Sequence, residues 1–135
     1  MTPAIPRPDA DSAPFWAAAA DGRLELPRCR ACGVLHAYPR RRCPRCGSDD
    51  LVWERLSGRA AVHAVTVVHR PPEPALADAV PYALALVDLE EGPRLMTRIV
   101  DCPPESVRIG QAVVVRFEPV GDGVALPLFA PLADG

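Results

Sequence analysis

The sequence predicts a mainly β chain: a short N-terminal helix, a cysteine module stapled by a metal, and a small five-stranded barrel. Three observations predict it. Two C-x2-C pairs, Cys29/Cys32 and Cys43/Cys46, stand in the spacing C-x2-C-x10-C-x2-C. From Gly58 onward, apolar and β-branched runs recur between turn residues, the pattern of short strands. Seventeen prolines and 5% aromatics in 135 residues argue against an architecture of long helices.

The elements follow in order. Residues 1–14 hold four prolines and no apolar signal core, so they read as a disordered tail. Residues 15–22, with four consecutive alanines before Asp21 and Gly22, read as two helical turns inside a 15–23 segment. Alanine is the best helix former and Gly22 is a natural stop. Asp11 or Ser12 is expected to cap the start, with Pro14 near the first helical position. Residues 24–55 form the cysteine module, with strands at 24–28 and 51–54. Residues 56–132 form the barrel, with strands at 60–69, 82–89, 95–100, 112–118 and 124–130. In the fourth, Val113, Val115 and Phe117 alternate with Val114, Arg116 and Glu118, as a half-buried strand requires. Glu90-Glu91-Gly92-Pro93 reads as a hairpin turn, 103–109 as one short helical turn, and 70–81, with four prolines, as a stiff exposed loop.

Within the module, two-residue spacers let both thiolates of a pair face one ion. Gly33 and Gly47 follow the second cysteine of each pair, where a turn benefits from positive φ and amides can then point at sulfur. Four thiolates close a tetrahedral shell, so the ion, one zinc, is expected to be structural. Iron is the alternative ion; two disulfides or free thiols are the alternative without one. His36, between the pairs, is left outside a shell that four cysteines already fill.

Charge is distributed unevenly. All fifteen basic residues are arginine. Residues 28–47 hold six arginines and no acid, a balance of +6, while the remainder has nine arginines against seventeen acids, −8. Four thiolates and one zinc sum to −2, so part of the local excess offsets the cluster. No apolar run approaches the roughly 18 residues of a membrane span. Without an export signal a reducing cytoplasm is expected, where paired cysteines serve metals more often than disulfides.

These residues carry a resemblance. Phe15-Trp16, Leu24, the two cysteine pairs, Ser57-Gly58, Thr66-Val67-Val68, Pro81-Tyr82, Glu91-Gly92-Pro93-Arg94-Leu95 and Val107-Arg108-Ile109-Gly110 occur in an order similar to the DUF35 family, over about residues 15–120. The resemblance implies a rubredoxin-like zinc ribbon followed by an OB-fold. It further implies a non-catalytic accessory subunit that binds a thiolase-like protein in a hetero-oligomer. That enzyme would be a thiolase or an aldolase of the steroid side-chain type, and the subunit would help form its acyl-CoA site, with a coenzyme A thioester at the shared interface. A MaoC-like enoyl-CoA hydratase is the alternative partner. The resemblance transfers no catalytic residue.

Other residues are candidates for chemistry. Arg40, Arg41 and Arg42 suit phosphate recognition, and coenzyme A carries several phosphates; a solvated turn is the plainer reading. Phe15 and Trp16, beside a helix too short to bury a core alone, suit a partner interface. Cys102, the one unpaired cysteine, has no signalled base, so it reads as a loop or core thiol. His63 and His69 read as strand histidines. A nucleic-acid-binding zinc-ribbon protein is the rival from another class. It is disfavoured because the expected barrel strands offer only Tyr82, Phe117 and Phe129 for stacking, and the region after residue 47 is acidic. A free-standing enzyme is disfavoured because no nucleophile–base set or phosphate-cradling loop is signalled.

Overall fold

The computed structural model describes residues 6–74 and 77–132. The chain is mostly β with one short helix, as expected. Helix α1 spans Ala13–Ala20, two residues earlier than the alanine run suggests. The reason is a reciprocal bond one turn upstream: the Ser12 amide donates to the Asp9 carboxylate (2.8 Å) and the Asp9 amide to the Ser12 hydroxyl (3.1 Å). The exchange has the form of a capping box in the turn before the helix; Ser12 is the N-cap residue and Pro14 lies in the first turn, as expected, while the carboxylate comes from Asp9 and not Asp11. Of the expected 1–14 tail, residues 1–5 lie outside the described residues, while 9–14 hold this turn and the first helical residues. At the other end the Gly22 amide donates to the Ala19 carbonyl and the Arg23 amide to the Ala18 carbonyl, the paired bonds that close a helix at Gly22. Ala18 and Ala19 are buried, and their small side chains let the helix lie close on the barrel's last strand.

Strands β1 (Glu25–Cys29) and β2 (Leu51–Arg55) pair antiparallel, from Glu25↔Arg55 to Cys29↔Leu51. Arg28 ties this ribbon together: its guanidinium donates to both carboxylate oxygens of Glu54 (2.9 and 2.8 Å) and to the Gly33 carbonyl (2.8 Å). The ribbon is not an independent body. Leu24 and Leu26 belong to the same core cluster as Leu56, Val87, Val113 and Phe129 of the barrel.

The barrel comprises β3 (Arg59–Val68), β4 (Tyr82–Leu89), β5 (Arg94–Ile99), β6 (Ala112–Gly121) and β7 (Val124–Pro131), closed in the order β3-β4-β5-β7-β6. The β5–β7 contact is parallel and the other pairings are antiparallel. A 3-10 turn, Pro104–Ser106, falls between β5 and β6, where one short helical element was expected. Val113 is fully buried, and Val115 and Phe117 pack against the core, as the alternation of β6 requires.

The first barrel strand carries apolar residues on both faces, and the structure explains part of this. The register to β4 shifts between Val62 and Ala64, which makes His63 the extra residue of a β-bulge. Before it the inward residues are even-numbered, Ala60 and Val62; beyond it Val65 packs on the core. A one-residue shift moves the inward set to the other parity, so the strand needs apolar residues of both parities. Strand β4 has no such shift. Ala83, Ala85, Val87 and Leu89 face inward, all at most 3% exposed, while Leu84 and Leu86 remain half-buried on the outer face.

Gly58 precedes the barrel with φ +82°. A Cβ there would lie 2.5 Å from Val115 Cγ1, and the Gly58 carbonyl accepts the Val115 amide at 2.8 Å. Glycine alone satisfies both the backbone angle and the approach.

Candidate functional site

The two cysteine pairs fold as copies of one local structure. In the first, the Cys29 carbonyl accepts the Gly33 amide (2.8 Å), the Cys29 amide donates to the Val34 carbonyl (2.8 Å), and the Cys32 amide points at Cys29 Sγ (3.4 Å). In the second, the Cys43 carbonyl accepts the Gly47 amide (2.8 Å), the Cys43 amide donates to the Ser48 carbonyl (2.8 Å), and the Arg45 amide points at Cys43 Sγ (3.4 Å). Gly33 and Gly47 have φ of +82° and +80°, the left-handed turn the spacing implied. Cys29 sits at the end of β1, so the ribbon's pairing fixes the first knuckle.

The four sulfur atoms lie within 4.8 Å of one another. Cys29 and Cys46 are 3.5 Å apart, and Cys32 and Cys43 are 3.6 Å apart. A tetrahedron of Zn–S bonds of about 2.3 Å has edges of about 3.8 Å, so the donor set and its spacing fit a thiophilic ion. The electrostatics agree. The Cys32 amide lowers the Cys29 thiol to about 7, against the effect of burial. Burial raises Cys43, but amides of Cys46 and Arg45 outweigh it and hold this thiol below its ordinary value. The Ser48 amide pulls Cys46 down, yet the crowding sulfurs, Cys29 first, push it up to about 12. Four thiolates this close cannot all stay ionised without a cation among them.

The remaining candidates separate from this centre. Arg40, Arg41 and Arg42 are exposed on the loop between the knuckles, and Arg42 donates to the Gly47 carbonyl at 3.3 Å. His36 stands outside the thiol cluster, 5% exposed, and neither ring nitrogen has a hydrogen-bond partner among the described residues. Burial, then the charge of Arg40, lowers its pKa. Cys102 is half-buried against the barrel core. His63, on the bulge, sits 3.4 Å from Asp88 and 3.2 Å from Arg94, which itself binds Asp88 at 2.6 Å. His69 lies beyond the end of β3.

Phe15 and Trp16 meet edge to face, with ring centres 5.0 Å apart. Phe15 packs on the barrel core. Both rings line an apolar groove of about 420 Å³ bounded by the helix, by Ala37–Pro39 of the ribbon, and by β4, β5 and β7. Tyr38 and Met96, on its walls, are 59% and 60% exposed. Sequence reasoning missed Tyr38, Leu84, Met96 and Arg98 as a group. The available signal was the second apolar face of residues 82–89, whose outward leucines need a cover.

Comparison with known proteins gives this geometry its family. Residues 16–52 match the ChsH2 rubredoxin-like zinc ribbon domain and residues 53–118 the ChsH2 C-terminal OB-fold domain. A probable enoyl-CoA hydratase alpha subunit of Thermomonospora curvata is 39% identical over 128 residues, 93% of this chain; the chain spans 40% of that relative's length. A DUF35 domain-containing scaffold protein of Methanocaldococcus jannaschii is 40% identical over 99 residues, 70% of each chain. Among solved structures, the Ltp2-ChsH2(DUF35) aldolase has a chain with TM-score 0.83 and 38% identity, covering 93% of this chain and 98% of that one. A DUF35-family protein of unknown function from Sulfolobus solfataricus, 12% identical with TM-score 0.61 over 90% of this chain and 85% of that one, shares the fold. This chain, a zinc ribbon joined through one core to an OB-fold barrel, belongs to the DUF35 family.

Proposed function

We propose that this protein is a non-catalytic accessory subunit that docks on an enzyme of acyl-CoA metabolism. The partner is a thiolase-fold enzyme of the aldolase type. The observation that carries this reading is the end-to-end likeness to the DUF35 chain of an aldolase, at TM-score 0.83 over 98% of that chain. In this reading Cys29, Cys32, Cys43 and Cys46 hold one structural zinc. The closed thiolate shell leaves no open position for a substrate, and the reaction belongs to the partner. The exposed Arg40–Arg42 stretch offers cations to coenzyme A phosphates. The lip of the groove, with Trp16 and Tyr38, offers aromatic anchors to the partner. A MaoC-like hydratase is a second reading, favoured by the hydratase alpha subunit that matches 93% of this chain.

Co-expression with the neighbouring acyl-CoA enzymes of the native host tests this. The chain is expected to co-elute with one of them in a stable complex and to show no turnover of acyl-CoA thioesters alone. A compact monomer that never co-elutes with an acyl-CoA enzyme would sink the reading and reopen the nucleic-acid one.

A further inference from the structure

The barrel leaves two strand edges open, and the two differ in kind. β3 meets β6 only at Arg59, Ala60 and Ala61, and Val62 adds bonds to Gly110 and Gln111. Among the described residues, 64–68 then pair with β4 alone. β6 in turn pairs with β7 alone beyond Val115. An open edge is a template for another strand, and folded proteins blunt it with charge or proline. The β6 edge is blunted in this way, by Arg116, Glu118 and Pro119. Residues 64–68, Ala-Val-Thr-Val-Val, hold neither charge nor proline. All but the first are β-branched, which suits a strand. The open stretch is also bounded, by the bulge at His63 on one side and Pro71-Pro72 on the other.

The sequence of this edge says what fits it. Around Thr66 it reads almost identically in both directions, His63-Ala-Val-Thr-Val-Val-His69, and only the apolar residues 64 and 68 differ. Antiparallel pairing of two copies about Thr66 puts Thr66 opposite Thr66, Val65 opposite Val67, and Ala64 opposite Val68. Threonine pairs and β-branched pairs across strands are favourable, and no like charges meet within the ladder. The edge is therefore its own complement. A contact in which one patch serves both copies closes on a two-fold axis and ends at two. Ala64 and Thr66 stand opposite Leu86 and Leu84, on the outer face of the barrel. Pairing at the edge leaves that face uncovered and sets the faces of the two copies side by side.

We infer that residues 64–68 of β3 pair antiparallel with the same residues of a second copy of this chain, centred on Thr66. The two barrels then share one continuous sheet. This goes beyond the accessory-subunit reading and does not depend on it. A ladder this short buries less than a standard interface, so the dimer is weak and concentration-dependent.

The test uses the full zinc-loaded chain alone. Sedimentation from low to high micromolar concentration should show the mass rising reversibly from one chain to two. Over the same range, amide exchange at residues 64–68 should slow. Thr66 is exposed, so a charge there is tolerated by the monomer, and dilute samples of the variants should melt at the wild-type temperature. Thr66→Lys and Thr66→Glu place like charges on the two-fold axis, and each alone should lose the dimer. An equimolar mixture of the two variants should regain it, because lysine meets glutamate across the axis only in this register. A chain that stays monomeric, self-association that leaves the 64–68 amides unprotected, a dimer that survives Thr66→Lys, or a mixture that stays monomeric would each overturn the inference. Protection of these amides only in complex with an acyl-CoA enzyme would overturn it too, and would assign the edge to a strand of that enzyme.

Discussion

At the scale of residues, two positions show how local physics decides what the sequence tolerates. His36 is buried, and among the described residues neither ring nitrogen has a partner. Leaving buried polar groups unsatisfied costs more than replacing them with apolar ones. His36→Leu is therefore expected to raise stability by about 1 kcal/mol, read as a higher denaturation midpoint at pH 7. The pH dependence follows from the lowered pKa. The group titrates higher when unfolded, so its contribution to stability is present above the unfolded value of about 6.5 and is lost as pH falls toward the folded one. The wild type should lose stability between pH 7 and 5 by more than the leucine variant; parallel pH curves would show that His36 is solvated. Gly58 is the opposite case, a position with no tolerance. Gly58→Ala should cost about 2 kcal/mol from the left-handed angle and the 2.5 Å approach to Val115. Adding Val115→Ala should recover part of this but not all, because the angle remains; full recovery would show that the approach alone mattered.

At the scale of elements, the ribbon depends on its knuckles. Two five-residue strands paired as a hairpin are marginal alone, and the sulfur cluster at one end closes them. Cys43→Ser, or removal of the metal by a chelator, should abolish amide protection at Glu25–Cys29 and Leu51–Arg55 while β4 and β5 keep theirs, as hydrogen exchange would show. Because Leu24 and Leu26 enter the barrel core, the barrel should also melt at lower temperature. A ribbon still protected after complete metal removal would refute the structural role. The elements were unequally legible. Both knuckles were readable because thiol chemistry and chain reversal act over four or five residues, and Gly33 and Gly47 announce the turns. The strands were found to within one to three residues, since their alternation is local too. At the helix start Ser12 and Pro14 were read in their places, but the part of Asp9, which pairs with Ser12 in a proline-rich stretch that looked unstructured, was not. The bulge was missed because His63 carries neither the proline nor the glycine that flags an irregular strand.

At the scale of the molecule, the groove could not be read from sequence. Its walls come from residues near 16, 38, 84, 96 and 127, and only the barrel's closure and the ribbon's docking bring them together. Residues 60–69 and 82–89 do carry apolar side chains at both parities, more than the lining of one barrel uses. The bulge absorbs that excess in β3. In β4 it persists as Leu84 and Leu86, and it joins exposed Met96 and Tyr38. Exposed apolar surface of this kind marks a binding face. The isolated chain is expected to self-associate at high concentration, and co-expression with the proposed acyl-CoA enzyme should suppress this, as light scattering on both preparations would show. A strictly monomeric chain under both conditions would mean that this face has no protein to meet.

The bulge also decides where β3 can change in length. Deleting a residue elsewhere in the strand would slip every later residue against β4 and exchange the inward and outward sets. Deleting His63 would instead remove the extra residue alone: Ala64 would follow Val62 directly, Val62 and Val65 would still face inward, and the pairs Val62↔Val87 and Ala64↔Leu86 would be kept. Relatives sharing this barrel should thus accept a single-residue gap at position 63 more readily than at any other position within β3. Alignments that place a gap there would be describing the same strand pairing without its bulge.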